Sequence, residues 1–130
     1  MKEIKNNEGI QNFLKLYNQD WDKKEKSKQE FVKASKEFIK TIAKLVGAEA
    51  KKITHTNFGN NRGEVSGFLK KGKNYVYILI SDVPAFKKLG ILFKQVDSPK
   101  DTKGWINNYV KPDEEGIDFM IRQIRRILNT

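Results

Sequence analysis

The sequence predicts an α+β fold with two N-terminal helices, an antiparallel four-stranded meander sheet and a C-terminal helix. Three observations predict it. Apolar residues recur every three or four positions up to Val46, every second position from Lys51, and every three or four again after Pro112. The changes of period fall at Gly47 and at Lys111-Pro112, residue types that stop and start helices. Turn-forming residues separate the middle segments, and no low-complexity tract or internal repeat interrupts them.

In the first helix Ile10, Phe13, Leu14, Tyr17 and Trp21 make one apolar stripe, with Asn6 or Asn7 as N-cap. The second runs over about 22–46. Its inward face is Phe31, Ser35, Phe38, Ile42 and Leu45, flanked by Val32, Ile39 and Val46. Lys33, Lys36, Lys40 and Lys44 line the other side. Glu30 and Glu37 break that stripe, so it reads as a solvated face, the alternative being a ridge that tracks phosphates.

The strands are expected at 51–58, 64–70, 74–81 and 91–96. Asn60-Asn61-Arg62-Gly63 separates the first two, and a two-residue loop at Lys71-Gly72 joins the next pair. That loop pairs Phe68 with Tyr75, Gly67 with Val76, Ser66 with Tyr77 and Val65 with Ile78. Val65, Val76, Ile78 and Ile80 then share one face, and Phe68, Tyr75, Tyr77 and Leu79 the other. Residues 83–90 read as a connection with room for one helical turn, and 98–108 as a turn-rich polar segment around Trp105. In the last helix Asp113, Glu114 and Glu115 occupy the first turn. Arg122, Arg125 and Arg126 lie near its end, matching the helix dipole. Ile117, Met120, Ile121, Ile124 and Leu128 form its buried stripe.

At 130 residues the chain reads as a single domain, helical over 1–47, sheet over 51–110 and closed by a helix over 112–129. A chain of that size buries roughly two thirds of its unfolded surface, enough for a core without staples. The absence of cysteine excludes disulfides, thiolate metal sites and cysteine nucleophiles, and fits a reducing compartment. No apolar stretch follows the charged N-terminus, and the longest apolar run is Tyr75 to Ile80. A bilayer span needs about 20 such residues, so a soluble, cytoplasmic protein is expected.

Charge is unevenly spread. Residues 51–111 carry a net +8, against +3 for 1–50 and −1 for 112–130. A localised basic field concentrates polyanions, whether nucleic acid, anionic lipid or an acidic protein or ribonucleoprotein surface; lysine enrichment for solubility is the plainer alternative. Of the 26 basic residues only Arg62, Arg122, Arg125 and Arg126 are arginine. Lysine suits phosphate contact and arginine suits guanine edges, so backbone contact is favoured over base reading.

Catalytic patterns are weak. The segment from Gly67 to Asn74 nearly spells a phosphate-binding loop, but Asn74 replaces the hydroxyl and the pattern straddles a hairpin. Asp82 with Asp101-Thr102-Lys103 loosely matches metal-dependent nucleases, which need carboxylates converging on a divalent ion. His55 is the only histidine and reads as structural or exposed; general acid–base work with Glu64 is the alternative, with no further residue to complete a catalytic set. The expectation is therefore no enzyme, no metal and no cofactor. The aromatic sheet face is more informative. Phe68, Tyr75 and Tyr77 cluster beside Lys70, Lys73 and Lys94, an arrangement that can stack bases and hold phosphates unless a helix covers it.

Ser66-Gly67-Phe68, Tyr75-Val76-Tyr77-Ile78, Ile80-Ser81-Asp82, Ile91-Leu92-Phe93-Lys94, Lys100-Asp101-Thr102-Lys103-Gly104 and Asn107-Asn108 carry a partial resemblance over residues 67–109. The segment resembles small uncharacterised proteins of bacterial phages, plasmids and conjugative elements, with Trp105 where those often have a second glycine. The resemblance implies a mobile-element context and no particular activity. Two functions fit. One is a non-enzymatic accessory protein that binds DNA or RNA with Arg62, Lys70, Lys71, Lys73, Lys94, Lys100 and Lys103 on phosphates and Phe68, Tyr75 and Tyr77 on bases. The other is an anti-CRISPR-like inhibitor of a host defence nuclease, docking its basic face on a protein or guide-RNA complex.

Overall fold

The computed structural model describes residues 2–17, 25–56, 63–83, 88–100 and 106–130. In chain order the elements are α1 (Lys2–Lys5), α2 (Glu8–Tyr17), α3 (Glu25–Val46), β1 (Glu49–Thr56), β2 (Glu64–Lys71), β3 (Asn74–Val83), β4 (Lys88–Val96), β5 (Asn108–Val110) and α4 (Glu114–Leu128). The class is α+β, as expected. The details differ, with five strands in place of four and a short extra helix before the two expected ones.

Asn7 is the N-cap of α2, its Oδ1 accepting from the Ile10 amide at 3.0 Å. The chain before it forms the one-turn α1, tied back where Gln11 Nε2 donates to the Ile4 carbonyl at 2.9 Å. Helix α3 ends at Gly47, whose φ of +70° is the left-handed conformation that glycine takes without steric cost. There Gly47 N–H donates to Lys44 O and Ala48 N–H to Ala43 O, at 3.2 and 2.8 Å, satisfying two terminal carbonyls. The expected inward residues Phe31, Ser35, Phe38 and Ile42 are buried, and Phe13 of α2 stacks on Phe38 at 4.2 Å. A side chain at Gly9 would land on Thr41 Oγ1, so glycine is what lets α2 lie this close to α3. Trp21 and the expected helix start at Asp22 lie outside the described residues.

The sheet has the order β1-β2-β3-β4-β5 with every neighbouring pair antiparallel. Its central hairpin corrects the expected register. The loop is Gly72-Lys73, which pairs Phe68 with Tyr77, Leu69 with Val76 and Val65 with Ile80. Two-residue hairpin loops need a positive φ at their first position, which Lys71 would resist and Gly72 supplies at +61°. Moving the loop by one residue moves each partner by two, so the expected division of faces survives.

Val83 and Lys88 to Gly90 belong to strands, which corrects the expected connection over 83–90; residues 84–87 lie outside the described residues. β5 is an additional strand that meets the expected polar segment over 98–108 only at Asn108: Asn108 opposite Phe93, Tyr109 opposite Leu92 and Val110 opposite Ile91 extend the sheet. Three residues are too few to show a period in sequence.

β1 carries a bulge. Lys51 faces Phe68 and Thr54 faces Ser66, leaving one extra residue between them, and Lys52 has φ +51°. Strict alternation from Ala50 would send Lys52 inward. The extra residue shifts the phase so that Ile53 turns to the core, where its Cγ1 would lie 3.2 Å from a Cβ at Gly67.

Helix α3 covers β1 and β2, and α4 covers β3 and β5 while touching α3. The buried side chains of these helices join Val65, Leu69, Val76, Ile78, Ile80, Ile91, Phe93 and Val110 in one apolar cluster. Among the described residues no helix is long and apolar enough to cross a membrane.

Candidate functional site

Cross-strand pairing lines up the other face of the sheet in rows. One row runs Lys51–Phe68–Tyr77–Lys94 across four strands, and the next runs Glu49–Lys70–Tyr75–Val96. A third, Thr54–Ser66–Leu79–Leu92–Tyr109, spans all five. None of these side chains belongs to the cluster that holds the helices. Sequence reasoning had left open which face the helices choose. The aliphatic face takes them.

Antiparallel neighbours on one face bring side chains within direct reach. Phe68 and Tyr77 have ring centroids 5.1 Å apart at 47°. Lys70 Nζ lies 5.9 Å from the Tyr75 ring centroid, and Lys94 Nζ lies 5.9 Å from that of Tyr77. Each lysine is thus the cross-strand partner of the tyrosine whose ring it meets. Phe68 is only 6% exposed and Lys94 7%, so both form a floor, while Tyr75, Tyr77 and Lys70 are half-buried and Lys51 is exposed.

The surroundings set local charge. Lys51 pairs with Glu49 at 3.0 Å, and that hydrogen bond and charge hold the Glu49 carboxyl below its ordinary range. Burial pushes the Tyr77 phenol above its ordinary range, opposed by the hydrogen bond with Ser66 and reinforced by the Glu64 charge.

The other expected contacts are scattered. Lys71 Nζ donates to Asn129 Oδ1, and Asn74 Nδ2 donates to the carbonyls of Leu128 and Thr130 at 3.1 and 3.3 Å. Those bonds fasten the hairpin tip to the C-terminal end of α4. Lys73 is exposed in the hairpin loop, and Lys100 is exposed after β4, its amide bonded to Ser98 Oγ at 3.3 Å. Arg62, Lys103, Asp101 and the side chain of Asp82 lie outside the described residues.

His55 stands opposite Val65 on the helix side, whereas Glu64 lies on the other face, so alternation separates the two. The segment from Gly67 to Asn74 is a hairpin, and Gly67 is packed beneath Ile39. Among the described residues no group of three or more His, Asp or Glu stands where it could hold a metal ion. On α3, Lys33, Lys40 and Lys44 are exposed and Lys40 pairs with Glu37 at 3.6 Å. Between α2 and α3 a groove of about 360 Å³ is lined by Lys15, Lys33, Glu30 and Glu37 over Gly9, Leu16 and Ala34.

Sequence reasoning missed Lys51 and Tyr109. The bulge hid the first, because Lys51-Lys52 gives no alternation to read, and the brevity of β5 hid the second. Comparison with family models, with curated proteins and with solved structures finds no match.

Proposed function

We propose that the protein is a non-enzymatic accessory factor that binds nucleic acid through the face of its sheet opposite the described helices. The observation that carries this reading is the pairing of Tyr75 with Lys70 and of Tyr77 with Lys94 in adjacent rows. Tyrosine rings on a sheet surface present π-faces to bases, and lysines beside them meet phosphates. The energies favour the exchange. For the partly exposed Lys70–Tyr75 pair, a cation over the ring contributes about 0.5–1 kcal/mol, whereas a base stacked on the same ring contributes about 1–3 kcal/mol. The ion pair between Lys51 and Glu49 is exposed and screened by solvent, so it competes weakly with phosphate. The net +8 of residues 51–111 supplies long-range attraction to a polyanion. The resemblance of residues 67–109 to phage and plasmid proteins supports a mobile-element setting.

The test is a salt titration of binding to labelled DNA and RNA. Affinity should fall steeply with salt, and Lys70→Ala with Lys73→Ala should weaken binding equally across sequences and flatten that dependence. Equal affinity at about 50 and 300 mM salt would overturn the proposal.

A second reading rests on the third row. Leu79, Leu92 and Tyr109 carry no charge, and Tyr109 is 51% exposed at the sheet border. Exposed aromatic residues beside apolar ones are typical anchors for a protein partner, which suits an inhibitor of a host defence nuclease. Tyr109→Ala should then abolish inhibition of the nuclease while leaving nucleic-acid affinity unchanged.

A further inference from the structure

The row geometry also bears on which nucleic acid is bound and along what path; this step rests on the nucleic-acid reading above. We infer that the ligand is an unpaired strand laid along β3, with two consecutive bases on Tyr75 and Tyr77 and their phosphates on Lys70 and Lys51.

The spacing comes first. Tyr75 and Tyr77 are two residues apart on one strand, so both point to the same face with Cα atoms about 6.8 Å apart. That separation is close to the phosphate-to-phosphate reach of one extended nucleotide. Two rings at this interval therefore match consecutive bases of a stretched strand. In a duplex the same bases are stacked on each other and turn only their edges outward, so neither ring would meet a base face.

The position of the lysines sets the side on which the backbone runs. Lys70 is the β2 neighbour of Tyr75, and Lys51 lies in the Tyr77 row beyond Phe68. Both stand on the β1–β2 side of the two rings. The β4 side offers Val96, 2% exposed, and Lys94, 7% exposed, whereas Lys70 is half-buried and Lys51 exposed. The sugar–phosphate chain is thus drawn over β2, with the bases leaning across β3. Phe68, the cross-strand neighbour of Tyr77 on β2, contacts its ring with centroids 5.1 Å apart and restricts its motion before a base arrives. Glu49 sits between Lys51 and Lys70 in these rows and limits the attraction.

The experiment uses the full chain and eight-nucleotide single strands of DNA and RNA carrying 5-iodouracil at one position, cross-linked by light and mapped by mass spectrometry. Adducts should fall on Tyr75 and Tyr77. Tyr75→Ala and Tyr77→Ala should each weaken single-strand binding by about tenfold, with circular dichroism unchanged, and Tyr75→Phe should retain affinity because the ring remains. Glu49→Gln should strengthen binding. Adducts confined to α3 or to the segment after β4, with affinity intact, would overturn the path along β3 and leave the nucleic-acid reading standing. Equal affinity for a duplex of the same sequence would do the same. Failure to retain any strand at low salt would overturn both.

Discussion

Arg125, in the last turn of α4, holds Glu3 of α1 with both prongs of its guanidinium, Nη1 to Oε1 at 3.1 Å and Nη2 to Oε2 at 3.3 Å. The same Nη2 donates to the Leu45 carbonyl at 2.8 Å, near the end of α3. One planar group thus ties together three helices. The two side chains are 38% and 41% exposed, so solvent screens much of the ion pair, and the carbonyl bond carries the rest. Arg125→Lys loses the fork and should cost about 1 kcal/mol, and Arg125→Ala about 1–2 kcal/mol, in urea denaturation. Variants as stable as the parent would show that the three-way tie contributes nothing.

Ser35 gives an effect of the opposite sign. It is fully buried in α3, and its hydroxyl oxygen has no hydrogen-bond partner among the described residues. Leaving a buried hydroxyl unpaired costs about 1–3 kcal/mol, and alanine is the better helix former. Ser35→Ala should therefore stabilise by about 1 kcal/mol and raise the melting temperature. A drop in melting temperature would mean that the hydroxyl has a role this packing does not account for.

The bulge in β1 also carries strain. Lys52 holds φ +51°, a conformation that costs a side chain about 1–2 kcal/mol, whereas glycine adopts it freely. Glycine adds about 0.5–1 kcal/mol of chain entropy to the cost of folding, so Lys52→Gly should yield a net gain of about 0.5–1 kcal/mol. Deleting Lys52 is the complementary test. It would restore strict alternation with Ile53 still turned to the core opposite Gly67, so it should relieve the strain without loss of stability, as read by chemical denaturation.

Tyr77 predicts a pH dependence. Its phenol is held above the ordinary value by burial, so the folded state favours the neutral form. That contribution is fully present below the unfolded value of about 10 and is lost as pH rises through the higher folded value. Tyr77→Phe cannot ionise there. Melting curves of the parent and the variant should run parallel at neutral pH and separate above about pH 10, with the parent losing more. Parallel curves throughout would dismiss the effect.

The helices were legible because periodicity extends over many residues. The stripe from Phe31 to Ile42 and that from Ile117 to Leu128 each repeat several times, and Gly47 and Asp113 end or begin them by local chemistry. The hairpin was legible in its faces and not in its loop, since the choice of Gly72 over Lys71 as first loop residue rests on backbone conformation alone. β5 was invisible because its three residues are strand only through pairing with β4. The tyrosine face was legible as a cluster. The side of the sheet that the helices take was not, because amphipathic helices state that they need a partner surface without stating which face they will cover.

The kink at Lys52 has a further consequence for the border of the sheet. Among the described residues β1 is the outermost strand, with no described strand paired to its outer side. A foreign strand would find only Glu49 to Lys51 on one side of the kink and Ile53 to Thr56 on the other, each shorter than the about five or six residues of an ordinary strand. Two adjacent ammonium groups stand at the break. Copies of this protein that collide along that border have no continuous ladder to extend, which works against their growing edge to edge into a fibre.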